Sequence, residues 1–347
     1  MEKKFLIVGQ GIAGSLLAYD MYRAGLNFTI VASPDKSTTS DVAAGMYNPI
    51  VFKRLTKSWM VDDVLPVMVK MYQDLESDLG HQFLFPMDII KPLAENEIKM
   101  WQERIEDSNF SDYIVGIGNN SIGQGIKDFD AYGRVTNSGY LLLGKLLRKL
   151  RKFFKSKGLL IEANFEYKDL GFIDGEITWH GISAETIVFC EGHHATKNPY
   201  FKDVGFNLTK GELLEIECEG LPGDYIYNKN LFVMPIGNKR FKIGATYDWK
   251  NQNEELSIEA RIDLLGRLDK LISLPYTVVN HWAGIRPTII DRRPVLGTHP
   301  FHKHVAIFNG LGTKGVMLAP YFSREMVRFL SMNDYPLAKE IDIRRFL

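Results

Sequence analysis

Three short sets of residues in this sequence have types and spacing suited to chemistry. The first is Phe5-Leu6-Ile7-Val8-Gly9-Gln10-Gly11-Ile12-Ala13-Gly14, an apolar run that enters Gly9-x-Gly11-x-x-Gly14. Glycines at that spacing serve a dinucleotide: the first permits a tight turn, the second lets main chain approach a pyrophosphate, and the third lets a helix close on a strand. Ile12 and Ala13, at the start of that helix, offer unpaired N–H groups and a partial positive charge to an anion. The second set, Gly310-Leu311-Gly312-Thr313-Lys314-Gly315, also precedes a helical run and repeats the anion-facing arrangement; Lys314 either adds charge there or stands in solvent. The third is Arg286 in Gly284-Ile285-Arg286-Pro287, whose guanidinium fork matches a carboxylate at two points or braces its loop against Asp291.

These residues need elements to position them. Phe5 to Val8 reads as a strand, Ser15 to Ala24 as a helix stopped by Gly25, and Phe28 to Ala32 as the next strand of a βαβ unit. An acidic residue usually ends that second strand and binds ribose hydroxyls, but Ala32 stands there. Asp35, Ser33 or backbone groups remain to serve the ribose. Helical patterns follow over 62–79 and 95–106, with β-like residues over 82–91 between them. Residues 140–155 form a basic amphipathic helix, read as a solvated outer face. Strands are expected at 159–167, 186–192, 212–217, 231–235, 240–247, 279–282 and 305–308, and helices at 257–272 and 316–330. Along 240–247, alternation puts Lys242 and Thr246 on one face and Phe241, Ile243 and Tyr247 on the other. Interleaved βα units and antiparallel segments indicate an α/β fold with an α+β second lobe: a Rossmann-like FAD/NAD(P)-binding domain and an antiparallel-sheet substrate domain. Residues 1–81, 134–207 and 282–347 are assigned to the nucleotide domain, which is discontinuous, and 82–133 and 208–281 to the substrate domain.

Composition narrows the class. With 347 residues, 45% hydrophobic, the chain can bury a large core in two lobes. Lys+Arg and Asp+Glu both number 42, so the charge footprint of a nucleic-acid binder is missing and no such partner is expected. Cys190 and Cys218, the only cysteines, make neither a metal spacing nor a disulfide framework and suit a reducing cytoplasm. Lys3, Lys4 and the apolar run after them imitate a signal peptide, but glycines at dinucleotide spacing and the following strand argue against that reading. No apolar run reaches ~18 residues, so no membrane span is expected. His193, His194 and His281 lack ligand spacing and read as structural or surface residues; no metal is expected. Nothing in the sequence fixes an oligomeric state.

Taken in order, FLIVGQGIAG, VAAGMYNP, TKGELLEI, FKIGATYDW, WAGIRPTIIDRRPVLG and GLGTKGVMLAP resemble the FAD-dependent amine and D-amino-acid oxidase family, closest in motif to its glycine and sarcosine oxidase branch. Residues 80–135 show no clear match. The resemblance implies non-covalent FAD, because no cysteine stands where sarcosine oxidases attach the flavin. It implies oxidation of an amine or amino acid by hydride transfer to flavin N5, and places Ala43-Ala44-Gly45-Met46 beside the flavin. Tyr167 looks like the strand residue whose backbone contacts adenine, and Phe189-Cys190-Glu191-Gly192 like the third cofactor strand and turn. Arg286 matches the arginine that holds the substrate carboxylate. Lys242 sits where monomeric sarcosine oxidases carry a lysine that promotes oxygen reaction, or else is a surface lysine.

Two positions depart from glycine oxidase: Phe232 replaces a substrate-binding tyrosine and Thr313 an arginine, which tells against glycine itself. Tyr47 or Tyr247 is left to supply a hydroxyl. Two alternatives stay open. AGMYNP and GATY also resemble the oxidase domain of bifunctional enzymes that process carboxymethylaminomethyl-uridine in tRNA, and the departures admit an FAD-binding module without turnover.

Overall fold

In the computed structural model, residues 4–34, 38–118, 122–123, 125–127, 129–173 and 175–347 are described; Asp35, one of the expected ribose partners, lies outside them. A six-stranded sheet runs in the order Leu160–Glu162, Asn27–Ala32, Lys4–Val8, Thr186–Phe189, His302–Asn309 and Val295–His299. The first five strands are parallel and the last is antiparallel. Parallel strands are covered on both faces, which is why FLIV and TIVF are apolar without alternation. Phe5 and Ile7 meet helices Ile12–Arg23 and Gly315–Ser331 on one face. Leu6 and Val8 meet the small sheet containing Ile177 and Trp179 on the other.

A second sheet has eight strands in the order Thr277–Arg286, Thr209–Glu217, Arg240–Gly244, Phe232–Gly237, Ile226–Asn228, Ile89–Leu93, Ala131–Val135 and Ile114–Gly118. It is antiparallel except between Ile226–Asn228 and Ile89–Leu93. Leu214, Ile216, Val233 and Ile243 point to helix Ile258–Leu268 and form a core of their own. Their neighbours Leu213 and Phe232 point the other way.

Several elements differ from expectation. The first helix begins at Ile12, so the glycine loop leads straight into it. The strand expected over 159–167 ends at Glu162, and Tyr167 opens a short 3-10 turn, Tyr167–Asp169. The strand expected to reach Tyr247 stops at Gly244. There the Thr246 hydroxyl accepts from Glu212 N at 2.9 Å, so the alternation does not carry on to Tyr247. Strand Thr277–Arg286 is ten residues long because it pairs along the whole of Thr209–Glu217. It and Ala131–Val135 run across positions 282 and 134. Among the described residues, no helix is long and apolar enough to cross a membrane.

Candidate active site

A cavity of about 1510 Å³ runs from the ends of the parallel strands to the open face of the eight-stranded sheet. Gly9, Gly11, Ile12 and Ala13 line it where the first strand becomes the first helix. Gly9 has φ +100°, and a Cβ there would lie 2.5 Å from the Cys190 carbonyl oxygen, so only glycine makes this turn. Gly14 lies behind the cavity, against the Gly9 main chain, as the packing role of a third glycine requires. A Cβ at Gly11 would meet, among the described residues, only the Ser40 hydroxyl, which accepts from Ile12 N at 3.2 Å.

Ser33, Tyr167, Cys190 and Gly192 line the same end. Tyr167 is presented by its turn rather than by a strand, and its hydroxyl donates to Glu191 at 2.7 Å. Asn198 donates to the same carboxylate at 2.8 Å, while burial pushes the Glu191 carboxyl up. His193 and His194 were expected to be structural or surface residues, yet both line the cavity. Burial, with His194 beside it, lowers His193 to about 4 and keeps its ring neutral near pH 7.

At the other end Ala43, Ala44, Gly45 and Met46 face Gly312, Thr313 and Gly315 across the cavity lining, with Arg286 and Tyr247 on the sheet side. Arg286 Nη1 donates to the carbonyls of Lys210 and Thr246 at 3.3 Å, and Nη2 to Thr246 at 3.2 Å. The Tyr247 ring lies 4.5 Å from its Cζ. Asp291, the alternative partner, pairs with Arg345 at 2.8 Å instead. Among the described residues no carboxylate pairs with Arg286, and burial lowers its pKa. A partly desolvated guanidinium without a counter-ion suits an incoming anion. Gly211 makes room for it, since a Cβ there would fall into the guanidinium. TKGELLEI marked this segment, but only the tertiary structure connects its glycine with Arg286.

Two lysines and one glycine stand back from the cavity. Lys242 Nζ donates to the Ala43 carbonyl at 3.3 Å and lies 5.4 Å from the Trp282 ring centre, so it is a half-buried cation behind the Ala43–Met46 segment rather than a free surface lysine. Lys314 is neither solvated nor in the lining: its ammonium reaches the Ser58 hydroxyl, and burial lowers it to about 8. Gly310 packs against Ile289 and the Arg293 carbonyl. Tyr47 is buried outside the lining.

The basic helix was expected in the sequence, but as a solvated outer face. It spans Leu143–Ser156, and instead of presenting only a solvated face it sends Arg148 and Arg151 into the lining near Ser33.

A family model for FAD dependent oxidoreductases, DAO, matches residues 4–328. The chain belongs to that family. It is a FAD-dependent oxidoreductase, and the glycine loop and the cavity of about 1510 Å³ that it lines fit that cofactor. A glycine oxidase of Bacillus licheniformis is 24% identical over 92% of this chain and 91% of its own length. The crystal structure of glycine oxidase from Geobacillus kaustophilus superposes with TM-score 0.82 at 18% identity, covering 97% of both chains. That of iminodiacetate oxidase (IdaA) from Chelativorans sp. BNC1 does so with TM-score 0.77, also at 18% identity, over 97% of this chain and 98% of the other. At that identity the two structures establish a shared fold.

Proposed function

We propose that this enzyme oxidises the carbon–nitrogen bond of a small amine or amino acid that carries a carboxylate. The observation that carries the reading is the Arg286 guanidinium, which lines the cavity, stacks on Tyr247 and meets no carboxylate among the described residues. A substrate carboxylate on Arg286 fixes one end of the molecule, and the cavity walls orient the rest. FAD, when bound, supplies at flavin N5 the acceptor for the hydride that leaves the substrate's α-carbon. The free imine then hydrolyses in water.

Gly9, Gly11, Ile12 and Ala13 hold the pyrophosphate in this reading, and Phe165 and Tyr167 border the adenine. Ala43 to Met46 and the 312–315 turn border the flavin. No covalent link is needed. Lys242, one residue layer behind Ala43, places positive charge near the flavin and favours oxygen as the electron acceptor. Residues 1–81, 134–207 and 282–347 make the FAD-binding domain, and 82–133 with 208–281 the substrate domain, except that strands Ala131–Val135 and Thr277–Arg286 belong whole to the substrate sheet. Phe232 and Thr313, where the glycine oxidase branch has tyrosine and arginine, turn the reading from glycine toward other amines. The likeness to an iminodiacetate oxidase fits that direction.

Anaerobic mixing of the holoenzyme with secondary amines and amino acids tests the reading. Bleaching of the ~450 nm flavin band by carboxylate-bearing members alone is expected. Arg286→Ala should raise KM steeply and leave flavin content unchanged. If the flavin is lost instead, Arg286 is structural and the proposed substrate clamp fails.

A further inference from the structure

We propose that the adenosine end of FAD is held here by a cationic site on helix Leu143–Ser156, in place of the acidic residue missing at Ala32; the proposal rests on FAD lying along the cavity as read above. Ala32 ends the second strand of the parallel sheet, and Glu162 is its partner on the neighbouring strand. Over this strand end lies Arg151. Its Nη1 donates to Gln10 Oε1 at 3.0 Å and its Nη2 to the Ser33 carbonyl at 3.0 Å. Its Nε donates to Glu162 Oε1 at 3.0 Å. Glu162 is also paired with Lys155 at 2.5 Å, so it orients Arg151 while its own charge is already balanced. One turn earlier Arg148 lines the cavity with no hydrogen-bond or ion-pair partner among the described residues. Gln10, the middle residue of Gly9-x-Gly11, is 8% exposed, and its Nε2 is buried without a hydrogen-bond partner among the described residues.

The chemistry of this corner is reversed from that of an acid-ended strand. A carboxylate accepts hydrogen bonds from ribose hydroxyls and repels phosphate. Here Arg148, Arg151 and Gln10 Nε2 are donors, and two of the three are cations. They suit phosphate oxygens, and ribose oxygens acting as acceptors. Of the carboxylates that line the cavity, Asp41 accepts from Thr38 N at 2.8 Å, Glu97 is paired with Lys91 at 2.5 Å and Glu191 is held by Tyr167 and Asn198. Glu166 is exposed in the turn beside Tyr167. The site therefore takes an adenine nucleotide with the ribose edge read as an anion or acceptor. It should tolerate a phosphate on the ribose 2′-oxygen.

The experiment is an equilibrium titration of apoprotein with FAD, followed by quenching of flavin fluorescence, with 5′-AMP and adenosine 2′,5′-bisphosphate as competitors. In wild type, the bisphosphate should compete at least as well as 5′-AMP. Arg148→Met and Arg151→Met should each weaken FAD tenfold or more, and Arg151→Met should abolish any preference for the bisphosphate. Lys152→Met, on an exposed position of the same helix, should stay within twofold. FAD affinities within twofold of wild type for both arginine variants overturn the proposal, as does a bisphosphate that competes tenfold worse than 5′-AMP. Should Arg151→Met not fold, Arg148→Met and the wild-type competition still decide. If wild-type apoprotein takes up no FAD, it is the placement of FAD in the cavity that fails, a distinguishable result.

Discussion

Replacing Gly211 with alanine probes the substrate clamp without touching the arginine. A Cβ at this position would lie 2.5 Å from Arg286 Nη1 and closer still to Cζ and Nη2. An ordinary contact needs about 3.5 Å, so the guanidinium must retreat by about 1 Å or more. Its bonds to the Lys210 and Thr246 carbonyls are already 3.2 and 3.3 Å long, and such a shift takes them past hydrogen-bonding range. Loss of a two-point charge-assisted bond to a carboxylate costs about 2–3 kcal/mol, or roughly 30- to 150-fold in kcat/KM. A displacement of about 1 Å in a positioning group gives a similar figure, on the order of 100-fold. The obstructing atoms are the end of a flexible side chain, so the fold should lose less than about 1 kcal/mol. The assay is oxygen consumption or anaerobic flavin bleaching with the best carboxylate substrate, alongside urea denaturation and the ratio of flavin to protein absorbance. A variant with kcat/KM within threefold of wild type, or one that loses FAD while Arg286 stays in place, refutes the reasoning.

Gly14→Ala should behave in the opposite way, since its Cβ would press on the Gly9 carbonyl and come within 3.0 Å of the Gly9 carbonyl carbon. Main chain cannot swing aside, so destabilisation of about 3 kcal/mol is expected in urea denaturation; an unchanged midpoint contradicts it. Asp20 is pushed up to about 6 by burial, with the Ser323 hydroxyl donating to it at 2.5 Å. Its folded pKa exceeds the unfolded value of about 4, so its contribution to stability is present below pH 4 and lost as pH rises to 6. Asp20→Asn should therefore gain on wild type between pH 4 and pH 7 in chemical denaturation, and a constant difference rules this out. Lys314 shows the reverse linkage: burial lowers it to about 8, below the unfolded value of about 10.4. The unfolded chain then binds more protons between those values, and stability rises with pH across that window. The thermal midpoint of wild type should climb relative to Lys314→Met from pH 8 to pH 10, and parallel curves would falsify the assignment.

Main-chain features were the most legible in the sequence. Gly9 and Gly14 are required by contacts between a strand and the helix that follows it, so their spacing alone places them. The apolar runs FLIV and TIVF likewise encode strands covered on both faces. Arg286 was legible as a guanidinium that either meets a carboxylate or braces its loop against Asp291, but its seat was not. That seat is built by Gly211, 75 positions earlier, by the Lys210 carbonyl, which the register of the sheet brings beside it, and by the Thr246 carbonyl beyond the end of strand Arg240–Gly244. Lys242 and Lys314 were legible only as cations. Each turns behind the cavity wall to an oxygen acceptor, Ala43 in one case and Ser58 in the other, which neither strand alternation nor loop composition specifies.

The basic helix Leu143–Ser156 shows why its reading as a solvated face fell short. Its period places Leu143, Leu146, Leu147, Leu150 and Phe154 in one buried stripe, and the remaining positions are basic except Gly144, Phe153 and Ser156. Periodicity sorts residues into buried and unburied faces, but long side chains beside the stripe belong to neither. Arg148 and Arg151 occupy that border, where the stem packs and the head goes where the neighbouring structure opens. Here the opening is the cavity end beside Ser33, next to the one strand terminus that lacks its expected acid. Loss of the acid and arrival of the cations are two sides of one electrostatic condition: a glutamate at position 32 would pair with Arg151 and withdraw it from Gln10. Ala32→Glu should therefore weaken FAD binding in this protein, although it restores the residue that many dinucleotide folds use. Tighter binding by that variant in the same fluorescence titration would mean that the ribose wants a carboxylate after all.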